Sequence, residues 1–294
     1  MHRNLNETGH FLKKLSDIKT IKSILASHGF SFSKALGQNF IIDPEVCPKI
    51  SESAGLDKNT AVIEIGAGIG VLTAELALRA GKVIAFELDR RLIPILKETL
   101  GAFDNIEIIN EDIMKADLRR LINEKCGGMR VAVVANIPYN ITSPLIMMLL
   151  EGRLGIDTIT VMVQSEAAKR LCAPVGSREG GSVTVAVNYY ANAKRLFPVS
   201  RTSFLPPPKV DSEVIELQIR KAPPVTVDEK VFFKLVKGVF SQRRKTLLNS
   251  LESALSIPKA QTAKALSQMG LSKDIRPERL TMEDFARLSK ALFN

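Results

Sequence analysis

The stretch Val62-Ile63-Glu64-Ile65-Gly66-Ala67-Gly68-Ile69-Gly70 constrains this chain more than any other. A short apolar run carries a single acid and ends in three glycines spaced G-x-G-x-G. Such a run reads as a strand buried on both faces, as in a parallel sheet covered by helices. Val71 to Arg79 reads as the helix that follows. Glycines at the junction allow a tight turn and let a ligand lie directly on main-chain N–H groups at a helix start. The stretch therefore demands an α/β frame and points to a nucleotide-like ligand at the carboxyl end of the first strand.

Three further strand ends give that ligand its partners. Val83–Phe86 ends in Glu87, 21 positions after Gly66, where a carboxylate can accept both hydroxyls of a ribose. Ile106–Ile109 leads to Asp112, placed to take an adenine amine. Val131–Ala135 runs into Asn136-Ile137-Pro138-Tyr139. All four ends fall on one edge of a doubly wound sheet, the edge at which such sheets bind ligands. A nicotinamide site stays open as an alternative, but its fingerprint is G-x-G-x-x-G. Here Val71 holds the last glycine position and Gly70 comes one residue early. Glu64 suits S-adenosylmethionine better, because that ligand has no pyrophosphate for an acid to repel. It does carry an amino group and a cationic sulfonium.

The Asn136-Ile137-Pro138-Tyr139 turn supplies chemistry. An adenine amine is a poor nucleophile because its lone pair is delocalised into the ring. The side-chain oxygen of Asn136 and the carbonyl of Ile137 can accept its two hydrogens and aim the lone pair at a methyl group. Tyr139 offers a face for the base to stack on. The plain alternative is a helix-start turn, with Asn as cap and Pro in the first turn. Its place at the fourth strand end, in line with the other three, favours the chemical reading.

At 294 residues with 45% hydrophobic content, the chain has room for one large and one small domain. No apolar run is long enough to span a bilayer, and residues 1–30 lack a signal-peptide core. Cys47, Cys126 and Cys172 have no C-x-x-C spacing and there are three histidines, so no metal is expected, and a reducing, cytoplasmic setting fits. Residues 1–30 read as an extension with one short helix around Ile18 to Ala26. Residues 31–220 read as the sheet domain, with Ile159–Val163, Lys194–Val199 and Val214–Ile219 as its last strands. Ala222-Pro223-Pro224 marks a boundary, and 221–294 read as helical. That tail carries 14 Lys and Arg against 7 Asp and Glu, so it supplies most of the net charge of +10. Arg243, Arg244 and Lys245 near a helix start are a candidate phosphate grip. Low aromatic content implies that a nucleic-acid partner would be read by shape and backbone.

The remaining strings are specific. Leu36-Gly37-Gln38-Asn39-Phe40, Glu64-Ile-Gly-Ala-Gly-Ile-Gly70, Phe86-Glu87-Leu88-Asp89 and Asn136-Ile-Pro-Tyr-Asn140 stand in order along the chain. Phe204-Leu-Pro-Pro-Pro-Lys-Val-Asp-Ser212 and Gln242-Arg-Arg-Lys-Thr-Leu-Leu-Asn-Ser250 follow. Together they resemble the ribosomal RNA adenine dimethyltransferases of the kasugamycin-resistance type. The resemblance implies a class I, Rossmann-like methyltransferase sheet of seven strands with a small all-helical C-terminal domain. It implies an S-adenosylmethionine-dependent enzyme that places two methyls on each of two adjacent adenines near the 3′ end of small-subunit rRNA. Its partner would be the immature 30S particle, and the chain would act as a monomer. The expected cofactor set is Gln38, Asn39, Ile41, Glu64, Gly66, Gly68, Glu87, Asp112, Ile113 and Asn136. Phe204 is expected to form the second face of the adenine slot, opposite Tyr139. The plainer reading of Phe204-Leu205-Pro206-Pro207-Pro208 is a stiff connector.

Two positions depart from the family pattern. Gln164-Ser165-Glu166 stands where members usually carry Gln-Lys-Glu, and Gly180-Gly181 where they tend to have Tyr-Gly. The rival readings are a 23S rRNA adenine dimethyltransferase of macrolide-resistance type, a DNA adenine methyltransferase, and a non-catalytic ribosome-assembly factor. The last two long strings favour the small-subunit enzyme over the first. A DNA enzyme usually has an acid in place of Asn136. The intact strand-end residues argue against a chain that has lost activity.

Overall fold

The computed structural model describes residues 15–33, 37–242 and 245–293. Its frame is a seven-stranded sheet. In chain order the strands are β2 (Thr60–Ile65), β3 (Lys82–Phe86), β4 (Ile106–Ile109), β5 (Arg130–Asn136), β6 (Thr158–Gln164), β7 (Ala191–Val199) and β9 (Ser212–Ile219). They lie in the order β4-β3-β2-β5-β6-β9-β7. The first five pair in parallel, and β9 runs antiparallel to β6. All six residues of β2 are buried, Glu64 among them, which is why its sequence shows no polar alternation. The sheet order reverses between β2 and β5, the switch point at which open α/β sheets bind ligands.

Helix Val71–Arg79 starts directly after the glycine turn, and its first seven residues are buried. Gly70 forms its N-cap at φ +91°, a left-handed conformation that any side chain would strain.

A second, two-stranded sheet lies outside what the sequence signals. β1 (Phe40–Ile41) pairs antiparallel with β8 (Phe204–Leu205), in the register Phe40 with Leu205 and Ile41 with Phe204. Beside it the Ile42 N–H donates to the Ser203 carbonyl (2.9 Å), and the Ser203 hydroxyl donates to Asp43 Oδ2 (2.9 Å). The clip ties two motifs that are distant in sequence to one place.

The chain divides into two compact units. One holds the chain up to Ala168 together with Lys194–Ile219; the other holds Lys169–Ala193 and Arg220–Asn294. The expected division put all of 31–220 in the sheet domain, whereas Lys169–Ala193 groups with the helical unit. That unit contains helices Ser182–Tyr190, Glu229–Phe240, Leu247–Leu255, Lys259–Gln268 and Met282–Phe293. Tyr189 stacks on Phe232 at 5.4 Å and Tyr190 on Phe233 at 5.4 Å, which fastens the inserted helix to Glu229–Phe240. The helical unit carries 18 Lys and Arg against 8 Asp and Glu, and the sheet unit 23 against 23. The whole net charge of +10 therefore falls in the helical unit. Lys245 is exposed just before helix Leu247–Leu255, while Arg243 and Arg244 lie outside the described residues.

Candidate active site

The carboxyl ends of β2 to β5 open into one cavity within the sheet unit. Gly66, at φ +79°, turns the chain away from β2, and the N–H groups of Gly66 and Ala67 both donate to the Phe86 carbonyl (2.9 and 3.1 Å). The glycine turn is thus bonded to the end of β3, where Glu87 begins. Glu87 accepts from the Gly68 N–H through Oε2 (2.8 Å) and from the Asp89 N–H through Oε1 (2.8 Å). Burial pushes its carboxyl above the usual range, and the two backbone donors oppose that shift. A carboxylate has about four lone-pair sites, so two remain for the paired hydroxyls of a ribose.

Glu64 lies deeper. It is 1% exposed and lines the cavity, and its Oε2 has no hydrogen-bond partner among the described residues. Burial pushes its carboxyl up to about 8, and the negative charge of Glu87 adds to the effect. An orphaned carboxyl oxygen at a cavity wall is costly unless a donor reaches it, and an ammonium group meets that need. On the far side, Asp112 Oδ1 accepts the Met114 N–H (3.0 Å), with buried Ile113 next to it. Leu88 lines the same end and is 52% exposed, so it offers an apolar surface at the mouth.

The Gly37–Ile41 segment closes over this edge. Gln38 accepts the Ser33 N–H (2.9 Å) and donates to Asp89 Oδ2 (2.8 Å). Asp89 is also paired with Arg91 (2.6 Å); that contact, with help from Gln38, holds its carboxyl down to about 2. The Phe40 ring lies against the glycine turn, where a Cβ on Gly68 would sit 3.4 Å from it. Asn39 bonds its own loop through Nδ2 to the Gly37 carbonyl (3.0 Å), and its carbonyl accepts Asn136 Nδ2 at 3.3 Å. Asn136 spends its amide nitrogen there, which leaves Oδ1 as a free acceptor at the end of β5.

The cavity brings together Gln38, Asn39, Ile41, Glu64, Gly66, Gly68, Glu87, Asp112, Ile113 and Asn136, and with them Ile137, Pro138 and Tyr139. Tyr139 is half-buried; its phenol shares a 2.7 Å hydrogen bond with the Ser212 hydroxyl, and burial raises its pKa.

Phe204 does not join them. Its ring is 2% exposed and packs in the main apolar cluster, held there by the pairing of β8 with β1. The expectation of an open stacking face opposite Tyr139 is therefore corrected: in this structure the ring supports the clip from behind. Sequence reasoning also missed Ser212, Leu88 and the link from Gln38 to Asp89. A signal for Ser212 was present, since Asp211-Ser212 ends the uncommon Phe204–Ser212 string, but a hydroxyl partner for Tyr139 is visible only in three dimensions. Among the described residues, no group of three or more His, Cys, Asp or Glu is placed to hold a metal ion, and no helix is long and apolar enough to cross a membrane.

Comparison with known proteins places these features. The family model described as ribosomal RNA adenine dimethylase matches residues 29–293. A ribosomal RNA small subunit methyltransferase A of Geobacillus thermodenitrificans is 51% identical over 276 residues, covering 92% of this chain and 94% of that protein. A protein of the same name from Alkaliphilus oremlandii is 44% identical and covers 96% of this chain and 99% of its own length. Among solved structures, a dimethyladenosine transferase from Plasmodium falciparum superposes with a TM-score of 0.68 at 27% identity, over 85% of this chain and 95% of that one. The 23S rRNA methyltransferase ErmE gives 0.66 at 29% identity, over 87% and 100%.

Proposed function

Because the chain belongs to the ribosomal RNA adenine dimethylase family, we propose that it dimethylates two adjacent adenines near the 3′ end of small-subunit rRNA, with S-adenosylmethionine as methyl donor. The observation that carries this reading is the convergence of Glu64, Glu87, Asp112 and the Asn136–Tyr139 turn on one cavity. The donor's amino group matches the orphaned Glu64 oxygen, its ribose matches Glu87, and its adenine matches Asp112, Ile113 and Leu88. When bound, it supplies an electrophilic methyl on a sulfonium.

The chain's own part is orientation. Asn136 Oδ1, freed by the bond from Nδ2 to Asn39, and the Ile137 carbonyl accept the hydrogens of the target amine. The nitrogen lone pair is thereby turned out of conjugation and toward the methyl. Tyr139 holds the base by its face. No cysteine or other nucleophile lies in the strand-end motifs, so transfer is direct. After the first methyl the amine keeps one hydrogen, which either acceptor can hold for the second.

The helical unit supplies the positive charge for the rRNA backbone. The substrate in the cell is the immature 30S particle, and the protein works there as a cytoplasmic monomer. The names carried by the relatives near 50% identity favour the small subunit over the single 23S adenine of the macrolide-resistance type. The test is incubation of purified protein and cofactor with small-subunit particles from cells that lack the modification, followed by mass spectrometry of the digested rRNA. Dimethyladenine at two neighbouring positions is expected. Monomethyladenine alone at long times, dimethylation confined to 23S rRNA, or no incorporation would each overturn the reading.

A further inference from the structure

Tyr139 is the one residue of the strand-end turn whose side chain is tied at its far end to another strand. Its own backbone sits in a single 3₁₀ turn, Tyr139–Ile141, which does little to fix a ring. The far end of the ring is fixed by the Ser212 hydroxyl at 2.7 Å. Ser212 is fully buried and is the first residue of β9, opposite Gln164 at the last position of β6. The residue before it is gripped in three ways. The Asp211 carbonyl accepts both the N–H of Ser165 (3.0 Å) and its hydroxyl (3.1 Å), and Asp211 Oδ1 accepts the Arg201 N–H (2.9 Å). Ser165 is thus the residue that caps this corner, at the position where the sequence departs from the Gln-Lys-Glu pattern.

We infer that Ser212 is a positioning residue for methyl transfer. Its hydroxyl, seated by Ser165 and Arg201 through Asp211, fixes the direction of the Tyr139 ring axis and hence the angle at which the target base meets Asn136. The inference rests on the proposed adenine methylation and deepens it. Since Phe204 is packed in the core, the half-buried Tyr139 is the aromatic platform of the Asn136–Tyr139 turn, and its tilt sets the tilt of the base. In-line transfer is sensitive to such an angle, and small misplacements lower the rate while leaving binding of the cofactor intact. The acids proposed to hold the cofactor, Glu64, Glu87 and Asp112, belong to the ends of β2 to β4, and the phenol bonds to Ser212 instead.

The test compares Tyr139→Phe, Ser212→Ala and the combined variant on small-subunit particles that lack the modification. Tyr139→Phe keeps the ring and removes only the tether, at a half-buried position where folding is secure. We expect kcat to fall about fivefold in each single variant, the rate equivalent of one ordinary hydrogen bond. The combined variant should fall no further, because both changes break the same bond. Cofactor affinity by calorimetry should stay within about twofold of the parent in all three, which a general loss of structure would not allow. If Ser212→Ala does not fold, Tyr139→Phe decides by itself. Parental kcat in Tyr139→Phe overturns the inference alone, as does a combined loss equal to the product of the two single losses. An inactive parent chain overturns the inference together with the reading beneath it.

Discussion

Glu64 shows how much one side chain can report about the site. Its carboxyl is pushed up to about 8 by burial, so at neutral pH it holds its proton in the cofactor-free protein. The sign of the consequence follows from linkage. Between its ordinary range and about 8 the folded chain binds a proton that the unfolded chain has released, so stability falls as pH rises through that window. Glu64→Gln removes this penalty, and its Tm at pH 8 without cofactor should exceed that of the parent. An ammonium placed against the carboxyl reverses the preference and drives the proton off. Cofactor binding between pH 6 and 7 should therefore tighten as pH rises, with net proton release seen as a dependence of calorimetric heat on the ionisation heat of the buffer. Equal heats in phosphate and Tris at pH 7 would show that Glu64 does not meet the amino group. The presence of an acid at this position was legible in the sequence, because Glu64 interrupts an otherwise apolar strand. Its orphaned oxygen was not legible, since that depends on what every neighbour does with its own donors.

At the scale of elements, the strand ends were readable and the clip was not. Strands β2 to β5 announce themselves by apolar runs that stop at glycine, acid or Asn-Ile-Pro-Tyr, and each stop falls on the ligand edge. β1 and β8 have two residues each, too short for any periodicity, and their pairing joins positions some 160 residues apart. The orientation of Phe204 follows from that pairing. Opposite Ile41 its ring turns into the core, whereas the family resemblance implied a place at the mouth of the site. The two placements predict different behaviour for Phe204→Ala. A ring on the surface of a slot would lower turnover and leave stability nearly unchanged. A buried ring leaves a cavity, and Phe→Ala changes of that kind cost about 3–5 kcal/mol. We expect the variant to show a clear fall in denaturation midpoint in urea, with a loosened Phe40–Ile41 segment and weaker cofactor binding. An unchanged midpoint combined with a large loss of kcat would return Phe204 to the slot.

For the molecule as a whole, the proposed function divides the labour between the two units by charge. The sheet unit is neutral, with 23 cationic and 23 anionic side chains, and the proposed cofactor contacts are buried carboxyls and backbone groups that salt scarcely screens. The helical unit holds 18 cationic against 8 anionic side chains, and under the proposed function they neutralise rRNA phosphates, which would release condensed counterions. The two binding events should therefore respond differently to ionic strength in one preparation. Between about 50 and 200 mM salt, RNA affinity should fall by roughly a hundredfold or more if several phosphates are neutralised, while S-adenosylmethionine affinity changes little. The slope can be assigned to residues. Each Lys or Arg on a phosphate contributes roughly 0.7–0.9 to the slope of log affinity against log salt. Replacing Arg243, Arg244 and Lys245 by Ala should then flatten the slope by about two units and weaken RNA binding, with the cofactor isotherm unaltered. If the slope is unchanged while the melting midpoint falls, the basic run at the start of helix Leu247–Leu255 serves the fold, and the grip on rRNA belongs to other cations of the helical unit.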